Sequence, residues 1–266
     1  MADAILPPEF LDSGPIVIAA TGGSGTRVVA NIVRSSGVFL GEQLNKASDA
    51  FEIGRTGAPW INAFMAAELN QTQADEEKIR ADLKPVFEKH VAPLRDNPRP
   101  WGWKAPRSIY LLPLFRKWFP ALKFIHLVRD GRDMAFSMNQ RQLRNYGATL
   151  LKDLPPASAE PVRAIALWSK VNLMRADFGE RELGARYLRI RFEDLCAKPV
   201  PAIERILNFI GTSGDVEAIA KREVAPPATI GRWRSQDRQV IAEMHGVGES
   251  ALRKFGYLDG EVARPN

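Results

Sequence analysis

One cysteine and three histidines in 266 residues narrow the chemistry before any motif is read. The lone Cys196 excludes an intramolecular disulfide, and the scattered histidines give no ligand cluster of the kind that holds zinc. No apolar run approaches the length of a membrane helix. Met1 to Gly14 carries acids and prolines where a secretory leader would carry a basic start and an apolar stretch, so no leader is expected. Cations exceed anions, with a net charge of +6 and a pI of about 9.5, but they gather in no run. A diffuse excess suits an anionic small ligand or an acidic acceptor better than nucleic acid. These absences describe a soluble, cytoplasmic protein with no membrane span and no metal, and they are silent on its oligomeric state.

What is present is a rhythm of strands and helices. With 45% hydrophobic residues the chain can bury a sizeable core, and one domain over residues 1–266 is expected. Pro15 to Ala20 reads as a buried strand. It is followed by the loop Thr21-Gly22-Gly23-Ser24-Gly25-Thr26-Arg27 and a helix with Val28, Val29, Ile32 and Val33 on one face. Val38 to Leu40 is a candidate short strand, Trp60 to Val91 is largely helical, and Trp101 to Lys104 is a strand. Pro106 to Phe119 is a helix, and Phe124 to Val128 a strand ending at Arg129. A long helix spans Val162 to Leu183, Tyr187 to Ile190 is a strand, and Pro201 to Ile210 a helix. Leu154 to Pro161 is a surface loop. Alternation of this kind favours an α/β fold, a central parallel sheet flanked by helices, with ligands at the carboxyl edge of the strands.

Two segments at that edge carry the chemistry. Glycines let the loop at Gly22–Arg27 wrap a ligand closely, while the first helical amides and the positive end of the helix dipole face it. A nucleoside-triphosphate loop would need lysine where Thr26 stands. A dinucleotide fingerprint would need glycine at position 28, which is Val28, although Glu42 sits where a ribose-binding acid could fall. The second segment, Arg129-Asp-Gly-Arg-Asp-Met-Ala-Phe-Ser137, delivers an arginine at a strand end. It then opens a helix with a serine two turns in, a pair suited to a phosphate monoester. Two anion cradles imply a ligand with two separate anionic groups.

At this point the chain resembles the sulfotransferase family, whose donor is 3′-phosphoadenosine 5′-phosphosulfate (PAPS; product PAP). The likeness extends through Trp103-Lys104-Ala105-Pro106, Phe119 to Phe124, Arg191 to Leu195 and Phe209-Ile210-Gly211, covering roughly residues 15 to 260. The tyrosylprotein branch and its bacterial relatives are closest in pattern. The resemblance implies a P-loop-like three-layer fold, with residues 1–14 as an N-terminal extension and 55–98 as a helical insertion on the substrate side. It implies that Gly22, Gly23, Ser24, Gly25, Thr26 and Arg27 hold the 5′-phosphosulfate, and that Arg129 and Ser137 hold the 3′-phosphate. Arg232, Trp233 and Arg234 would close over the nucleotide. Lys104 would stabilise the leaving group, with a saccharide, peptide or other small molecule as acceptor. The family usually places a basic residue where Gly23 stands, so Arg27 is the candidate substitute. It often places a histidine base where Pro106 stands, which leaves the carboxylates of Asp49 and Glu42 as candidate bases, with Glu52 a third option. His126 is expected in the core. A non-catalytic nucleotide-binding relative and a dinucleotide oxidoreductase remain alternatives.

Overall fold

The computed structural model describes residues 4–155 and 157–258. Residues 1–3 of the N-terminal extension and the last positions of the family likeness therefore lie outside the described residues. Four parallel strands form one sheet: β1 (Ile16–Ala19), β2 (Gly102–Lys104), β3 (Lys123–Val128) and β4 (Tyr187–Arg191), in the order β2-β1-β3-β4. The register pairs Ile18 with Lys104 on one side and with Ile125 on the other. In the same frame, Val128 lies beside Arg191.

Side-chain alternation explains how so short a sheet organises two cores. Val17 and Ala19 of β1, with Phe124 and Val128 of β3, face one cluster, while Ile16, Ile18, Ile125 and Leu127 face the other. The first cluster is the larger. It takes in the long helix Glu160–Phe178 and an aromatic group in which Phe87 and Trp103, tilted against each other, meet Phe115 and Phe119 edge to face. The second packs the helices Thr26–Ser35 and Pro199–Ile210 against the opposite face. The result is the expected three-layer α/β arrangement.

Several element boundaries differ from expectation. Val38 to Leu40 forms only a single bridge, Phe39 to Trp101, because Phe39 exchanges bonds with Pro100 and Gly102 and then turns away at Gly41. The helical stretch after Trp60 breaks into Ile61–Leu69 and Glu76–Val91, where Asp75 caps the second helix by accepting from the Lys78 amide. The expected helix from Pro106 begins as a 3₁₀ turn, Pro106–Ile109, before Leu112–Trp118. The long helix ends in a π turn at Gly179–Leu183. No helix among the described residues is long and apolar enough to cross a membrane.

Candidate functional site

β1 and β3 are neighbours and run in parallel, so the chain leaves both at the same edge of the sheet. The two segments expected to bind anions meet there. A Cβ built on Gly23 would come within 3.7 Å of the Ser137 hydroxyl oxygen. Phe192, just past β4, lies under both segments. Its ring would be 2.4 Å from a Cβ on Gly25, and it carries the Arg129 guanidinium 4.9 Å from its centroid. Gly25 needs a bare α-carbon for a second reason, its φ of +86°.

The first loop offers backbone more than side chain. The Ser24 hydroxyl is buried and donates to the Thr21 carbonyl at 2.7 Å, so it is turned into the protein. The Gly22 amide already donates to Gln142 Oε1 at 2.9 Å, an oxygen that also accepts from the buried Tyr110 hydroxyl. What remains is the start of the helix Thr26–Ser35, which has no side-chain cap. The amides of Gly25, Thr26 and Arg27 make no hydrogen bond among the described residues. Such a helix end favours an anion.

Lys104 ends β2 beside this loop, with its side chain 2% exposed. Its ammonium donates to the Ala47 carbonyl at 2.7 Å and forms a short ion pair with Asp49, whose own side chain is 23% exposed. Burial lowers the Lys104 pKa, Asp49 works against that shift, and Arg27 adds to it. Asp49 is itself fixed. Asn45 Nδ2 donates to its second oxygen at 2.9 Å, and the next amide, Ala50, donates to the Lys104 carbonyl at 2.8 Å.

Lys104 and Asp49 line a cavity of about 370 Å³ together with Gly22, Gly25, Arg27 and Arg107. Arg141, Gln142 and Asn145 close its far side. The side chains of Arg27, Arg107 and Arg141 make no ion pair or hydrogen bond among the described residues. Against one carboxylate, Asp49, the cavity thus sets four cations. Glu42 is not among its lining. It is exposed and, with Glu52 and His90, borders a separate cavity of about 350 Å³. Glu52 pairs with Arg55.

On the other side of Phe192, Arg129 is buried and its Nη2 donates to the Thr229 hydroxyl at 2.8 Å. Ser137 lies beyond the helix expected to hold it. Gly131–Ala135 is a single short helix capped by Asp130, and Ser137 follows the residue that ends it. The loop at Gly231 curls over Arg129. Arg232 donates to the Thr229 carbonyl at 3.2 Å and to the Phe136 carbonyl at 3.3 Å. Trp233 meets two guanidinium groups, Arg132 at 3.9 Å and the exposed Arg234 at 4.8 Å from its ring centroid. Burial lowers the Arg232 pKa, and the neighbouring charge of Arg129 lowers it further.

No histidine lines the cavity that holds Lys104 and Asp49. His126 is fully buried between the Tyr187 hydroxyl and Asn172, each at 2.9 Å, in the core as expected, and burial pushes its pKa down to about 4. Sequence reasoning gave no role to Phe192, Asp133, Arg107 or Thr229. Asp133 and Phe192 sat inside quoted segments, but only packing shows where they act.

The family model for the sulfotransferase family matches residues 15–215, and the chain belongs to that family. A Caenorhabditis elegans protein named "Putative protein-tyrosine sulfotransferase" is 24% identical over 155 residues, covering 58% of this chain and 54% of that one, so the chain spans about half the length of this relative. Among solved structures, the fold is similar to sulfotransferase STF9 from Mycobacterium avium (TM-score 0.56, 12% identity, 91% of this chain and 76% of that one). It is also similar to mouse sulfotransferase SULT7A1 complexed with PAP (TM-score 0.52, 14% identity, 91% and 85%). The sulfotransferase domain from the curacin biosynthetic pathway matches across nearly its whole length (TM-score 0.52, 17% identity, 90% and 97%).

Proposed function

We propose that the protein transfers a sulfuryl group from PAPS to a hydroxyl or amine acceptor by in-line displacement. The observation that carries this reading is the meeting of the two segments at Phe192, whose ring lies against Gly25 and carries the Arg129 guanidinium. The residues fit such a donor. Two buried donors, Arg129 Nε and Trp233 Nε1, have no partner, and a buried orphan donor is costly unless a ligand satisfies it. At the other segment the uncapped helix start and the unpaired Arg27 suit the 5′ end, with Arg27 in the role that a basic residue at Gly23 would otherwise fill. The family match does not favour the dinucleotide alternative.

The donor, when bound, supplies a sulfuryl group on a phosphate leaving group. Lys104 would supply its ammonium to the leaving phosphate, where charge builds as the S–O bond breaks. Asp49, in the same cavity, accepts the proton of the acceptor as its oxygen or nitrogen bonds to sulfur. Glu42 lines the other cavity and is the weaker candidate. Arg107 and Arg141 add positive charge along the approach. No metal is needed, since fixed cations and amides neutralise the donor. The single cysteine is compatible with a cytoplasmic setting.

Incubation with sulfur-labelled PAPS and a panel of saccharides, phenols and peptides tests the proposal. Labelled product with stoichiometric PAP is expected. Tight PAP binding without turnover on any acceptor would favour the non-catalytic relative, a reading motivated by Gly23.

A further inference from the structure

We infer that Asp133 is the positioning residue of the 3′-phosphate site, acting through the loop that carries Arg232. This rests on the nucleotide reading above. Asp133 is 1% exposed and lies midway between Arg129 and Ser137 in sequence. Its carboxylate bonds to a loop a hundred residues downstream, accepting from the Gly231 amide at 2.7 Å through one oxygen and from the Trp233 amide at 3.2 Å through the other. Gly231 has a φ of +80°, which turns these alternate amides toward one point. Backbone donors so arranged form an anion-binding concavity, and here a side chain of the same molecule fills it.

The consequence falls on the residue between those two amides. With its backbone pinned on either side, Arg232 is directed away from Asp133, toward the Thr229 and Phe136 carbonyls. Thr229, in the same loop, in turn accepts from Arg129. Two guanidinium groups are thereby held near each other, and the charge of Arg129 disfavours that of Arg232. Without a restraint the loop would relieve that repulsion by moving outward. The Asp133 carboxylate is the restraint, and Arg132 assists by stacking on Trp233 at 3.9 Å. The site is thus assembled before any phosphate arrives, and the phosphate gains the pair without the cost of ordering the loop.

The test compares PAP with adenosine 5′-monophosphate, which differ by the 3′-phosphate alone, by calorimetry on the full chain. Asp133→Asn keeps the size but turns one accepting oxygen into a donor facing an amide. Its affinity for PAP should fall 10- to 100-fold while its affinity for the monophosphate stays within twofold. Equal loss for both ligands would mean a merely structural role, and no loss for either would remove Asp133 from the site; both outcomes overturn the inference. Hydrogen exchange of the wild-type chain without ligand gives a second reading that does not depend on the variant's folding. The Gly231 and Trp233 amides should be protected, and fast exchange there would overturn the inference. If the wild-type chain bound neither nucleotide, the proposed function would fall, and the exchange experiment would still decide whether Asp133 holds the loop.

Discussion

Replacing Lys104 with methionine isolates the charge on the proposed leaving group. The side chain is almost wholly buried and its ammonium meets only Asp49 and the Ala47 carbonyl. Methionine fills a similar volume, and the stranded Asp49 can turn to water because its side chain is 23% exposed. The fold should therefore lose little, about 1 kcal/mol. Turnover should fall much further. Loss of one oriented donor to developing charge costs about 10²- to 10³-fold in kcat, or about 3–4 kcal/mol. Affinity for intact PAPS should move by threefold or less, since the charge in question grows only as the S–O bond breaks. Single-turnover rates with saturating labelled donor, alongside calorimetry with PAPS in the absence of acceptor, separate the two effects. The companion change Asp49→Asn should cost more stability. It leaves a buried ammonium with neutral acceptors alone, at a cost of about 3 kcal/mol. A Lys104→Met protein that kept its turnover within tenfold of wild type, or lost affinity for intact PAPS in proportion to turnover, would refute the assignment.

Other expectations follow from single contacts. Gly25→Ala combines a φ of +86° with a Cβ 2.4 Å from Phe192 and should cost about 3 kcal/mol, whereas Gly23→Ala, at +91° but with no atom nearer than 3.7 Å, should cost about 1–2 kcal/mol. Equal losses in urea unfolding would contradict the packing of Phe192. Arg27→Gln should weaken PAP about tenfold, about 1.4 kcal/mol. Unchanged affinity would mean that Arg27 does not replace the basic residue absent at Gly23. His126, pushed down to about 4 in the folded chain, contributes stability that is complete above its unfolded pKa near 6.5 and is lost as pH falls toward 4. Unfolding free energy should drop by about 2 kcal/mol more between pH 7.5 and pH 5 in the wild type than in a His126→Gln variant. A parallel decline in both would exclude His126 as the source.

The strand-loop-helix units were readable because buried parallel strands are continuous apolar runs and their loops carry glycine and polar punctuation. Pro15 to Ala20 and Phe124 to Val128 are examples, and their adjacency followed from the resemblance rather than from pattern. Local hydrogen bonds were not legible. Nothing in Thr21-Gly22-Gly23-Ser24 indicates that the Ser24 hydroxyl closes back on Thr21, nor that Gln142 takes the Gly22 amide. The choice between Asp49 and Glu42 was equally hidden. Both lie in one polar loop, and only the bond from Ala50 to the Lys104 carbonyl brings Asp49, and not Glu42, beside the lysine. Ser137 was expected two turns into a helix, but the helix stops at Ala135 and the Gln140 side chain takes the carbonyls of Met134, Ala135 and Ser137. Long-range partners such as Asp133 with Gly231 leave no trace in local periodicity.

The most direct measurement of the central claim is the affinity of the wild-type and Arg129→Ala chains for PAP, adenosine 5′-monophosphate and NAD by titration calorimetry. The account predicts that the wild type binds PAP well above the monophosphate and ignores NAD, and that Arg129→Ala binds PAP and the monophosphate alike. A wild-type chain that bound NAD, or that showed no preference for the 3′-phosphate, would contradict it.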